Sequence, residues 1–227
     1  MKKAIIAILV LLVGYWIFSG SGEDDFVKGM EAFHHGGHYE KANELFEKSC
    51  NAGYARGCNA LGYSYEYGYG VERDYKKAYK LYEEACDDDE ARGCMNIGIM
   101  YENGNGVEQD YKKAIKFYEE GCDLNPLYGC NNLGVMYEIG KGVKQDYDKA
   151  HKFYGKACKN GDPVGCNNYA LMFEEGKGVE KNPSMAIAFY QMSCNLKNKL
   201  SIGDSNQDFS VAESACNQVR VLRRMGY

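Results

Sequence analysis

From Cys58 onward the apolar positions follow one spacing, break, follow another, and then begin again. Leu61 and Tyr65 stand four apart with small Gly62 between them, the pattern of a helix face that a second helix can approach closely. The segment Gly68-x-Gly70-Val71 stops that helix, because glycine accepts the left-handed backbone common at helix C-termini. Asp74 then holds an N-cap position, and Tyr75, Ala78, Tyr79 and Tyr82 form one stripe at i, i+3, i+4 and i+7. The pattern predicts two helices per unit. Helix A runs from Cys58 to about Tyr67 and helix B starts at Tyr75, its stripe buried against helix A and against the next unit.

The unit recurs every 36 residues. Gly62 returns as Gly98, Gly134 and, altered, Ala170; Tyr65 as Tyr101, Tyr137 and Phe173; Glu66 as Glu102, Glu138 and Glu174; Asp74 as Asp110, Asp146 and Asn182, the last followed by Pro183 at the first helical position. The fold class expected is therefore all-α, an α/α solenoid of helical hairpins. A first, shorter unit lies over residues 23–53, the 36-residue copies over 54–199, and a capping segment with a final helix, Ser210 to about Arg224, over 200–227. The Gly-x-Gly loops precede helix N-termini, yet no strand precedes them and the dinucleotide fingerprint is incomplete, so they are assigned to helix capping.

Ten cysteines sharpen the picture. Cys50, Cys86, Cys122, Cys158 and Cys194 keep the 36-residue period, and Cys58, Cys94, Cys130 and Cys166 keep it eight residues later. One set falls at the end of helix B and the other in the first turn of the next helix A, so folding the chain back joins Cys50 to Cys58, Cys86 to Cys94, Cys122 to Cys130 and Cys158 to Cys166. Cys194 finds Ile202 where its partner should stand, which leaves Cys216 and clamps the last helix onto the stack. The rival reading is zinc, but no Cys-x2-4-Cys pair occurs, nor the Cys-x-x-Cys of a thiol oxidoreductase. No metal and no cofactor is expected.

Charge and leader bear on partners and compartment. The net charge of −5 and the absence of a basic cluster beyond Arg220 to Arg224 argue against nucleic acid. Lys2 and Lys3 precede an apolar run from Ala4 to Phe18, closed by Ser19 to Gly22 and by Glu23-Asp24-Asp25. This is the pattern of an export signal, either cleaved or retained as a membrane anchor over residues 4–22. In both cases the rest of the chain is expected outside the cytoplasm, periplasmic or secreted, where thiols oxidise. Membrane contact would come only through that segment.

From about Phe26 to Cys194 the chain resembles SEL-type repeats, relatives of the tetratricopeptide repeat, and specifically the exported cysteine-rich Hcp proteins of bacteria. The match is best in Gly129-Cys130-Asn131-Asn132-Leu133-Gly134-Val135-Met136-Tyr137-Glu138 and in Asp146-Tyr147-Asp148-Lys149-Ala150. The resemblance implies a right-handed solenoid with one disulfide per repeat. It also implies two functions, a protein-interaction scaffold or a penicillin-binding, weakly β-lactamase-like protein that would take a β-lactam or peptidoglycan-related ligand.

The chemistry of a serine β-lactamase needs Ser-x-x-Lys, which is absent; Ser193 to Lys197 is one residue too long. The cluster His34, His35 and His38 reads as a solvated turn before it reads as a weak metal site, and His151, in the slot of Tyr79 and Ile115, reads as a packing residue. The recurrent glutamates look structural because every copy has one. A binding surface is the better candidate. Positions two and six after each helix A cysteine are expected on one face: Ala60 with Ser64, Asn96 with Met100, Asn132 with Met136 and Asn168 with Met172. Asparagine is a poor helix-interior residue, so its repetition points to a role in gripping the backbone of a protein or peptide partner, with hydrogen bonding between neighbouring repeats as the alternative. The methionines are candidates for an adaptable surface or for filling gaps in the core.

Overall fold

The computed structural model describes residues 22–196 and 206–227, and every regular element within them is a helix. Helix α1 covers residues 22–34. It is followed by α2 (Tyr39–Asn51), α3 (Ala55–Tyr67), α4 (Tyr75–Asp87), α5 (Ala91–Asn103), α6 (Tyr111–Leu124), α7 (Cys130–Ile139), α8 (Tyr147–Lys159), α9 (Pro163–Glu175), α10 (Pro183–Leu196) and α11 (Asn206–Arg224). Helices α3 to α10 are the A and B helices of four copies of the 36-residue unit. The apolar leader predicted over residues 1–22 lies, but for Gly22, outside the described residues. No described helix is long and apolar enough to cross a membrane.

The termini form where the side chains dictate. Asp74 accepts from the backbone N–H groups of Lys76 and Lys77 at 2.9 and 3.0 Å, Asp110 repeats the arrangement with Lys112 and Lys113, and Asp146 accepts from Lys149. Asn182 does the same for Met185 at 3.0 Å. Helices α3, α7 and α9 end on Gly68, Gly140 and Gly176, all left-handed with φ of 76°, 71° and 76°, where a side chain would be strained. Two kinds of boundary differ from expectation. Helix A starts three residues before its cysteine in the first, second and fourth copies, at Ala55, Ala91 and Pro163, directly after extended Tyr54 in the first. The last helix starts at Asn206, ahead of Ser210, over polar residues that suit a first turn.

The core repeats with the chain. Tyr82, Tyr118, Tyr154 and Tyr190 are fully buried, and their rings press on the helix A position of Gly62, Gly98, Gly134 and Ala170. A β-carbon on Gly98 would stand 2.5 Å from the Tyr118 ring. Beside this contact Tyr101 stacks on Phe117, Tyr137 on Phe153 and Phe173 on Phe189, at centroid distances of 5.6–5.7 Å. At the C-terminal end Ala215, Val219 and Leu222 of α11 cover Ala170, Ala186 and Tyr190, as a terminal cap must.

All ten cysteines pair as the spacing predicts: Cys50–Cys58, Cys86–Cys94, Cys122–Cys130, Cys158–Cys166 and Cys194–Cys216. The Cα separations of 4.3–4.9 Å lie at the short end of disulfide geometry. With every sulfur so engaged, no thiolate remains for the zinc alternative. The chain divides into two compact units, one reaching Asn96 and including Asn105–Val107, the other made of Ile97–Gly104 and Glu108–Tyr227.

Candidate protein-binding site

The recurrent glutamates turn out to be the struts on which any surface rests. Tyr82 donates its hydroxyl to Glu66 at 2.7 Å, Tyr118 to Glu102 at 2.6 Å, Tyr154 to Glu138 at 2.7 Å and Tyr190 to Glu174 at 2.6 Å. Burial first, then the accepting carboxylate, pushes each of these phenols up, so all remain donors at any ordinary pH. The second carboxylate oxygen takes a partner from a later segment: Lys141 for Glu102 at 3.1 Å, Lys177 for Glu138 at 3.2 Å and Gln218 for Glu174 at 2.9 Å. Glu66 has Asn105 in the lysine's place. Burial raises the Glu66 carboxyl above the usual carboxylate range, and the hydrogen bonds from Tyr82 and Asn105 oppose the shift only in part. These partners were not singled out by the sequence pattern. Asn105, Lys141 and Lys177 share one position in the repeat, 39 residues after their glutamates, and that fixed offset of opposite charge was the available signal.

The asparagines chosen from the sequence lie together with residues that were not chosen. Asn96 Nδ2 donates to Asn59 Oδ1 at 2.9 Å, and Asn168 Nδ2 to Asn131 Oδ1 at 2.9 Å, while Asn132 hydrogen-bonds the Tyr118 hydroxyl. All three candidates are half-buried. Each Asn–Asn bond joins helix A of one copy to helix A of the next and uses one donor and one acceptor. The carboxamide oxygens of Asn96 and Asn168 and the amino groups of Asn59 and Asn131 take no part in these two bonds.

Ser64, Met100, Met136 and Met172 do not share that surface. They are at most 1% exposed, and Ser64 Oγ donates to its own helix at Ala60 O, 3.3 Å away. The expectation of one face for positions two and six is corrected by helix geometry. A four-residue step overshoots a full turn by about 40°, enough to carry the sixth position from the rim into the core.

The remaining candidates fall to packing. Ser193 is fully buried and donates to Pro163 O at 2.7 Å, so its hydroxyl is committed to the fold. His151 packs on Tyr169 and Phe173 with centroids 4.6 and 5.4 Å away, and burial holds its imidazole below the ordinary value against the opposing pull of Asp148. His34 meets the edge of Phe33 at the end of α1, and His38 precedes α2.

A feature absent from the sequence reading is an aromatic cluster on the first copy. Tyr63 and Tyr67, one helical turn apart on α3, are 40% and 54% exposed, and Tyr69 in the following loop lies nearly parallel to both, at 22° and 25° and centroid distances of 5.8 and 6.1 Å. Phe33 and Tyr39 stand behind Tyr69 at 5.4 and 5.2 Å. The signal lay in a departure from the repeat: the same positions elsewhere hold Ile99, Val135 and Leu171, then Asn103, Ile139 and Glu175, then Asn105, Lys141 and Lys177.

Comparison with known proteins agrees with this architecture. The family model described as Sel1 repeat matches residues 39–54, 55–90, 91–126, 127–162 and 163–198. A Helicobacter pylori protein named "Putative beta-lactamase HcpE" is 35% identical over 71 residues, covering 30% of this chain and 20% of that protein, so the chain spans about a fifth of the length of the curated relatives it matches. The crystal structure of a Sel1 repeat protein from Oxalobacter formigenes superposes with a TM-score of 0.71 at 19% identity, over 90% of this chain and 88% of that one. A protective antigen of uropathogenic Escherichia coli, c5321, superposes at 0.67 with 24% identity over 89% of this chain and 46% of its own. The matched repeats cover well over half of the residues, and the chain belongs to the Sel1 repeat family.

Proposed function

We propose that this chain is an exported, disulfide-stabilised scaffold that binds a protein or extended peptide partner in the cell envelope or outside the cell. The observation that carries the reading is the pairing of half-buried asparagines from successive A helices, Asn96 with Asn59 and Asn168 with Asn131. An extended backbone offers alternating N–H and C=O groups that such a ladder can grip. The five disulfides support an oxidising compartment, and the leader read from residues 4–22 supports export. Replacing Asn96, Asn132 and Asn168 together by Ala should remove the partner recovered by cross-linking in the envelope while the helical circular-dichroism signal stays the same. Unchanged capture of that partner by the triple variant would refute the ladder.

The β-lactam reading rests on the name of the Helicobacter relatives. Turnover of a chromogenic β-lactam by the purified chain, abolished by one side-chain change, would establish it. The absence of Ser-x-x-Lys and the burial of Ser193 weigh on the side of the scaffold.

A further inference from the structure

The repeats of this chain act as controls for one another. In the second and third copies the buried glutamate is matched by a lysine of the chain itself: Glu102 by Lys141 and Glu138 by Lys177. Lys141 also lies over the Tyr111 ring, 4.6 Å from its centre. Cations over tyrosines recur at one equivalent position of the first three copies, with Lys77 over Tyr65 at 4.1 Å, Lys113 over Tyr101 at 5.0 Å and Lys149 over Tyr137 at 4.7 Å. The fold thus pairs rings and carboxylates with ammonium groups wherever it supplies its own.

In the first copy Lys77 and Arg73 serve Tyr65 and Tyr75, while Glu66 and the exposed rings of Tyr63 and Tyr67 have no such cation among the described residues. Glu66 meets neutral Asn105 where Glu102 and Glu138 meet lysine, and Glu174 of the last copy likewise meets a neutral side chain, Gln218. Above it lie Tyr63, Tyr67 and Tyr69, over whose rings no cation sits among the described residues. Burial, the Glu66 charge and the neighbouring phenols together push the Tyr67 hydroxyl up to about 12, and the same causes raise Tyr63, as expected around a negative charge without a counter-ion. Tyrosine is not needed there for folding, since the same positions hold Ile99 and Ile139 in other copies.

We infer that the Tyr63–Tyr67–Tyr69 platform beside Glu66 is a docking site for a cationic side chain, an arginine or lysine on a basic segment of the partner. The ring faces supply cation–π attraction and Glu66 supplies the balancing charge. This rests on the scaffold reading and gives its partner a chemistry. Arginine suits the site best, because its flat guanidinium stacks on parallel rings.

The test uses the full disulfide-bonded chain and two synthetic pentapeptides, one bearing two arginines and one bearing citrulline in their place, with equal shape and no charge. Titration calorimetry should show the arginine peptide binding about tenfold more tightly. The double variant Tyr63→Ile, Tyr67→Ile, which borrows residues from the chain's other copies, should bring the arginine peptide down to the citrulline level with the thermal midpoint preserved. Asn105→Lys, which gives Glu66 a lysine like those of Glu102 and Glu138, should weaken arginine binding several-fold with all three tyrosines in place. Equal binding of the two peptides, or undiminished arginine binding by the double variant, would overturn the site and reduce the attraction to the net acidic surface. The Asn96, Asn132, Asn168 triple variant separates the two claims: it should bind the arginine peptide like wild type, so failure of the asparagine ladder and failure of the tyrosine site appear in different variants.

Discussion

If the Tyr–Glu–Lys struts carry the repeat, removing one hydroxyl should have a cost that can be worked out. In Tyr118→Phe the ring stays in its fully buried place against Gly98 and the hydroxyl is lost, with its bond to Glu102 at 2.6 Å and the weaker neutral contact with half-buried Asn132. A hydrogen bond to a charged acceptor contributes about 1.5–3 kcal/mol, the upper end applying when the acceptor is left stranded. Glu102 is not stranded. Its side chain is 24% exposed and its other oxygen keeps Lys141 at 3.1 Å, so the lower end, about 1.5 kcal/mol, is expected. Lys141→Met alone removes a half-exposed ion pair and a cation–π contact, about 0.5–1 kcal/mol together. Made in the same chain, the two changes leave Glu102 with neither partner, and their effects should exceed the sum of the singles by about 0.5 kcal/mol or more. Urea unfolding with the disulfides intact measures all three variants. A cost below about 0.5 kcal/mol for Tyr118→Phe, or strict additivity, would refute the strut.

The other expectations follow from the same geometry. By loop entropy, replacing Cys194 and Cys216, 22 residues apart, by Ala should cost about 3.4 kcal/mol, against about 2.5 kcal/mol for Cys122 and Cys130 at a separation of eight; calorimetric melting of both double variants tests the order, which a larger loss for the short loop would contradict. Gly98→Ala drives a β-carbon into the Tyr118 ring at 2.5 Å and should cost about 1–3 kcal/mol in the same assay. The burial that depresses His151 means that stability from its neutral form is present above about pH 6.5 and lost as the pH falls through its lower folded value. His151→Ile, the residue of the preceding copy, should therefore flatten the acid side of the stability profile, and an identical profile would show that His151 does not titrate there.

How much of the fold was legible depended on how far along the chain each interaction reached. Helix stops at Gly68 and Gly140, caps at Asp74 and Asp110, and disulfides closing eight residues are set by neighbours within two turns, so they follow from residue order. The contacts Asn59–Asn96 and Glu102–Lys141 span 37 and 39 residues. They depend on how one hairpin is rotated onto the next, which a 36-residue period alone does not specify. For the methionines the core-filling reading holds and the surface reading does not, because a drift of about 40° per four residues decides between rim and core.

The same contrast separates construction from function. Positions that stay the same in every copy, such as the buried tyrosine and its glutamate, are accounted for by packing, and their regularity argues against a reaction centre among them. The departures each alter a local property: Ala170 replaces a glycine where α11 closes the stack, His151 brings a titratable ring into a slot held by Tyr79 and Ile115, and Asn105 leaves Glu66 without the lysine that serves Glu102 and Glu138. Only the first copy combines such a departure with exposed aromatic surface, at Tyr63 and Tyr67. An exposed ring carries a hydration cost that the solenoid avoids at Asn103 and Glu175, two of the positions equivalent to Tyr67, while Ile139 at the third is 57% exposed. A cationic side chain docked as proposed would cover those rings, and what points to it is their combination with a carboxylate that lacks lysine, not apolar exposure alone.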